Sequence, residues 1–163
     1  MAAGTANGQT VRSGPPFATT INVLEGLLAF ERATGGTPRS KAARRAGEDY
    51  LLKRHLFRRL STGEAADKRF LCLCHPSRWR YDILRALDYF RAAALFCDAA
   101  PDPRLSEAID HLRSRQLENG AWPLDWRPAG RVWFDIDDGV DAPSRWVTLK
   151  AMRVLRWWDA HVP

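Results

Sequence analysis

Asp135-Ile136-Asp137-Asp138 puts three carboxylates within four residues. Carboxylates crowded this closely raise one another's pKa, and one that keeps its proton becomes a general acid. The same stretch has a second reading. Val132, Phe134 and Ile136 alternate with Trp133, Asp135 and Asp137, the pattern of a short strand with one wet acidic face. An acid at a dry cavity and a solvated acidic turn both stand at this level. Cys72-x-Cys74-His75 has the residue types of a metal site, but three ligands within four residues strain tetrahedral geometry. No second Cys/His pair follows at finger spacing, so no metal is expected, and the cysteines read as small buried hydrophobes. No cofactor is expected either.

A tetrapeptide recurs: Pro76-Ser77-Arg78-Trp79 returns as Pro143-Ser144-Arg145-Trp146. Each copy leads into an apolar segment, so Trp79 and Trp146 are expected at equivalent places near helix starts. Rings there can stabilise a cation through their π faces, stack on a sugar, or act as packing wedges between helices. Asp82 and Arg145 lie near the same helix starts. Asp82 also suits the positive end of a helix dipole without any ligand. Trp79, Trp146, Asp82 and Arg145 are the candidate ligand contacts, and His55, on a basic segment, reads as a surface histidine.

The elements that must position these residues are helical. The first segment follows Thr19-Thr20 and stops at Gly35-Gly36; the second opens at Thr37-Pro38 and runs to about Leu60. A third follows Trp79 and ends near Asp98, a fourth runs from Asp102-Pro103 to Asn119-Gly120, and a fifth follows Pro143-Ser144. The first, third and fifth are apolar over most of their circumference, the mark of buried helices. The second and fourth are amphipathic, with Lys41, Arg44, Arg45, Lys53 and Arg54 on the presumed wet side of the second. This alternation predicts an all-α protein of stacked helix pairs, inner helices lining a core and outer helices covering them.

Composition agrees. With 45% hydrophobic residues and seven Trp in 163 residues, the chain is not of the disordered class and has the length of one domain. Residues 1–16 read as a flexible tail and 17–163 as the folded domain. No apolar run approaches the roughly 20 residues of a membrane span, and three cysteines without framework spacing suit a reduced, cytoplasmic compartment. The net charge of +6 is spread over helix faces that otherwise look solvated, so a nucleic-acid partner is not expected.

Gln116-Leu117-Glu118-Asn119-Gly120-Ala121-Trp122 resembles the Gln-xxx-Gly-x-Trp core of the QW repeat of squalene cyclases and related terpenoid cyclases. Thr19 to Leu27, Tyr50-Leu51-Leu52, Leu60 to Glu64, Tyr81 to Tyr89 and Trp146-Val147-Thr148-Leu149 are similar to uncharacterised bacterial squalene-cyclase-like proteins. The resemblance spans about residues 17 to 158 and corresponds to the C-terminal half of such proteins, within the wider terpenoid cyclase–prenyltransferase family. It implies a partial α/α toroid with an apolar concavity for an isoprenoid or other apolar small molecule. Its exposed inner helices would be covered by a second copy or by the N-terminal half of the ring. Asp135-Ile136-Asp137-Asp138 resembles the DxDD motif of class II terpene cyclases, which by that match makes Asp137 the proton donor, supported by Asp135 and Asp138. In those enzymes Thr-Ala follows, whereas Gly139-Val140 follow here. Catalysis, in this reading, needs the rest of the ring. Two other functions fit the same architecture: a non-catalytic protein-binding or scaffold module, and a carbohydrate-active toroid with two carboxylates flanking a bond.

Overall fold

A computed structural model describes residues 17–130 and 133–161. The tail expected for residues 1–16 lies outside them, as do Val132 of the acidic segment and residues 162–163. Five α-helices carry the fold: α1 (Phe17–Thr34), α2 (Pro38–Leu52), α3 (Ile83–Cys97), α4 (Ser106–Ser114) and α5 (Arg145–Asp159). No strand occurs among the described residues.

The helix ends follow local chemistry. α1 gives way to Gly35 and Gly36, whose φ values of 80° and 68° cost a glycine nothing. Thr37 then caps α2 through a reciprocal box with Ser40, and Pro38 takes the first turn. Asp82 caps α3 and Ser144 caps α5, each accepting a backbone N–H three residues on. Asp98 closes α3 in the left-handed conformation.

Three boundaries differ from the sequence expectations. α1 is already helical at Phe17, so Thr19 and Thr20 lie inside it and Thr20 is buried. α2 stops at Leu52, well short of Leu60. The chain turns at His55 and Leu56, both at positive φ, and this drives Leu56 into the core, where its carbonyl accepts the Tyr81 hydroxyl at 2.5 Å. α4 ends at Ser114 because the turn to Trp122 takes over from there.

α3 is the hub. It packs against α1, α4 and α5, while α2 covers α1. Gly47 permits the α1–α2 approach, since a β-carbon there would sit 2.9 Å from the Leu24 side chain. The large apolar side chains left exposed on helices, among them Val23, Phe30, Leu95, Leu149 and Met152, all belong to α1, α3 and α5. The odd helices are therefore not buried all round as expected: one side of each is exposed, and on α5 that side carries Arg145, Arg153 and Arg156 beside Leu149 and Met152, which makes it amphipathic.

Arg44 departs from its expected place on the wet face of α2. It is buried between Glu31 of α1 and Glu48 (Nε–Oε2 3.0 Å, Nη1–Oε1 2.6 Å), and the Tyr89 hydroxyl of α3 donates to Glu48 at 2.7 Å. α2 meets α1 along that line, so a residue read as solvated becomes the polar rivet of three helices.

Candidate functional site

The turn after α4 sets the frame. Gln116 donates its amide to the Gly120 carbonyl at 2.9 Å, and Gly120 takes φ 82°. Trp122 folds back, only 1% exposed, with its indole N–H on the Leu112 carbonyl at 2.7 Å. The backbone N–H of Trp122 donates to Thr148 of α5 at 2.9 Å, and the Ser144 N–H to the Trp122 carbonyl at 2.8 Å. The Leu124 N–H donates to Ala142 O at 3.0 Å and the Asp141 N–H to Leu124 O at 2.8 Å. Residues 122–124 and 141–144 thus run side by side, and the segment from 125 to 140 is an excursion between them.

That excursion lies against the turn before α3. Asp125 and Leu73 exchange two hydrogen bonds (2.8 and 2.9 Å), and the Arg80 guanidinium sits 3.5 Å from the Trp126 ring centre. The loops that start α3 and α5 are therefore joined, and the candidate residues gather around their junction.

Asp137 lies at this junction, half-buried. One carboxylate oxygen accepts the Ser144 hydroxyl at 3.0 Å; the other is buried without a hydrogen-bond partner. Asp135 is exposed and accepts from Arg127 at 3.2 Å, and Asp138 is exposed. The three carboxylates do not converge: Asp135 faces solvent with its own cation while Asp137 turns inward to the α5 cap. The described part of the acidic segment forms bends, so the expected strand is replaced by a loop.

The two repeated tetrapeptides do not play equivalent parts. Ser144 caps α5 and places Trp146 in its first turn. Ser77 caps no helix, because α3 starts later, from Asp82, and Trp79 is left 70% exposed in the connecting turn. Trp146 stacks on His75 with centroids 5.5 Å apart and donates its indole N–H to Ile136 O at 3.2 Å. Arg145 is exposed and holds no carboxylate among the described residues.

Asp82 is sealed in, 1% exposed. It accepts the Arg85 N–H at 2.9 Å, and the Cys74 thiol donates to it at 3.1 Å. Burial raises its pKa, opposed by these bonds, and burial beside Asp82 pushes the Cys74 thiol up to about 12. Cys74 thus stays a thiol committed to Asp82 rather than a thiolate ligand. A carboxyl with a raised native pKa holds its proton to higher pH than the unfolded chain does. Its contribution is fully present below the ordinary value of 3.8 and is lost as pH rises through the folded value. Asp82→Asn keeps an oxygen for the cap and removes the charge. Relative to wild type it should therefore gain stability as pH rises above the ordinary carboxylate value of 3.8, read in urea titrations; a pH-independent difference would refute the buried-charge account.

His75, considered in sequence only beside the cysteines, is the residue that the sequence reading underweights. It borders two cavities with Pro76 and Arg78. One, of about 740 Å³, lies between α1 and α3, with Leu28, Ala29, Ala33 and Ala92 on its walls. The other, of about 400 Å³, lies under the excursion and is walled by Leu124, Trp133, Phe134 and Ile136, with Asp135 and Asp137 at its edge. Burial, then the Lys150 charge, lower the His75 pKa while Asp137 opposes, so the imidazole is neutral at pH 7. Only the fold brings His75, Asp137 and Trp146 together; no local spacing signals it. None of the four expected ligand contacts, Trp79, Trp146, Asp82 and Arg145, lines either cavity, although Trp146 stacks on His75, which borders both.

Compared with protein-family models, with curated proteins and with solved structures, the chain finds no match. No helix among the described residues is long and apolar enough to cross a membrane.

Proposed function

We propose that the chain is a squalene-cyclase-like α/α-toroid module that binds an apolar small molecule of isoprenoid class in the cavity under residues 125–140 and does not by itself transform it. The observation that carries this is the cavity under the excursion, walled by Leu124, Trp133, Phe134 and Ile136; the larger one beside it mixes Leu28 and alanines with Glu25, Arg32, Arg85, Asp88 and Lys150 and suits the polar end of a ligand. Apolar, concave and partly preformed space with few polar groups is what such ligands require. Two features support binding over turnover. Asp137 accepts a hydrogen bond from Ser144 instead of sharing a proton with Asp135, and Trp133 and Phe134, at 86% and 75% exposure, leave the acidic loop open to water. Cyclisation by acid needs a dry site.

Farnesol, a neutral isoprenoid, is the probe. Titration should quench tryptophan fluorescence in the wild type. The Trp133→Ala/Phe134→Ala variant, altered only at exposed positions, should bind about thirtyfold more weakly, since each ring contributes on the order of 1 kcal/mol of contact. No saturable quenching in the wild type would overturn the reading. A cyclised product that disappears in Asp137→Asn would instead establish Asp137 as the general acid.

A protein-binding module is the second reading, favoured by the bare apolar side chains of α3 and α5.

A further inference from the structure

α5 divides its circumference between two tasks. Val147, Ala151, Val154, Trp157 and Trp158 are buried. Arg145, Leu149, Met152 and Arg156 fall on one stripe of the helical period, with Arg153 beside it, and all are exposed. Leu149 and Met152 are each 49% exposed, and Leu95 of α3, across from them, is 59% exposed. Between these side chains runs a groove of about 440 Å³, floored by Trp157 and edged by Arg91, Arg153 and Arg156.

The charged side chains that line this groove are of one sign: Arg91, Arg153 and Arg156 border it and no carboxylate does among the described residues. Arg91 at the rim holds Asp88. Arg145, Arg153 and Arg156 hold none among the described residues, and Asp159, the one acid of α5, is taken by Arg113. A row of cations without internal partners beside uncovered aliphatic side chains is complementary to a surface that is both apolar and acidic.

We infer that the α3/α5 groove docks an acidic amphipathic helix of a partner protein, with its aliphatic residues over Leu95, Leu149 and Met152 and its carboxylates on Arg153 and Arg156. Helix-in-groove recognition uses anchors at this periodicity, and a helix of roughly 10 Å diameter lies naturally between two others. A second copy of the chain is a poor occupant. A two-fold contact would set Arg153 and Arg156 against themselves on a chain whose net charge is already +6. A membrane surface calls for apolar groups that protrude, whereas Trp157 here lies at the bottom of a groove.

The test uses the full chain and a fluorescein-labelled helical peptide with Leu on one face and Glu on the other. A matched peptide with Lys for Glu and phosphatidylserine vesicles serve as rivals. Fluorescence anisotropy should show saturable binding of the Glu peptide only. The affinity should fall about tenfold or more in Arg153→Glu/Arg156→Glu, and again in Met152→Asp, a second variant that leaves the arginines in place. Both variants alter exposed side chains, and circular dichroism verifies that they fold. Raising salt should weaken binding of the Glu peptide. Equal binding of the Lys peptide, no binding, or unchanged affinity in both variants would overturn the inference. So would capture by vesicles in preference to the peptide, or a dimer in light scattering that the arginine changes dissociate.

Discussion

Replacing Arg44 by methionine is expected to cost about 3–5 kcal/mol of unfolding free energy, the usual consequence of removing one partner from a buried ion pair. A domain of this size holds only roughly 5–15 kcal/mol in all. The reason is specific to the triangle of α1, α2 and α3. Glu31 is 2% exposed, and one of its oxygens has no hydrogen-bond partner even with Arg44 present. Without the guanidinium, Glu31 would be left wholly unpaired inside, and Glu48 would retain only the Tyr89 hydroxyl. The double change Arg44→Met/Glu31→Met should recover most of the loss, because an apolar pair of similar volume removes the desolvation cost along with the attraction. Guanidinium denaturation measures both. A loss below about 1 kcal/mol in the single variant would mean that water screens the pair as it does at a surface.

Trp122→Ala should be comparably damaging, about 3–5 kcal/mol, since it empties a fully buried ring. Here the loss combines packing with a specific bond. The indole N–H donates to the Leu112 carbonyl in the last turn of α4 at 2.7 Å, where the only other donor among the described residues is the Arg115 N–H at 3.3 Å. Trp122→Phe separates the two contributions. It keeps most of the buried ring and should cost about 1 kcal/mol for the lost indole hydrogen bond, the carbonyl keeping the Arg115 N–H. Thermal unfolding of both variants tests this, and a phenylalanine variant as stable as wild type would assign the whole effect to packing. The consequence should reach α5, because residue 122 also anchors Thr148 and Ser144 through its backbone.

Features set by short spacing were legible in the sequence. Thr37-Pro38 and Ser144 mark helix starts by side-chain caps, and the Gln116–Gly120–Trp122 turn forms as its residue types require. The alternation of apolar and amphipathic segments pointed to the helical class, but the bare sides of α1, α3 and α5 depart from the buried helices it predicts. Features set by distant partners were hidden. The α2 stop depends on Tyr81 reaching Leu56, and Arg44 is drawn inward by Glu31 across a helix interface. The repeated tetrapeptide misled for a similar reason: identical residues were read as identical sites, but Asp82 supplies the α3 cap that Ser144 supplies for α5. At the candidate site, Asp137 was visible as a carboxylate in a crowd. Its separation from Asp135, and the stacking of His75 on Trp146, arise only where two loops meet.

The excursion between residues 125 and 140 leaves and rejoins the body at hydrogen bonds that Leu124 makes with Ala142 and Asp141. Its two stems are thus already at hairpin distance, and the helices behind them are closed by Trp122 and Ser144 without its help. The segment is tied down at some residues and bare at others: Asp125 and Trp126 hold it to Leu73 and Arg80, and Ile136 and Asp137 to Trp146 and Ser144, while Trp133, Phe134 and Asp135 stand exposed. Trp133, Phe134, Asp135 and Asp137 all ride on it. Within the proposed binding role, Trp133, Phe134 and Asp135 are thus the positions at which side chains can change at least cost to the scaffold, whereas changes at Asp125 or Trp126 would loosen the junction of the two loops.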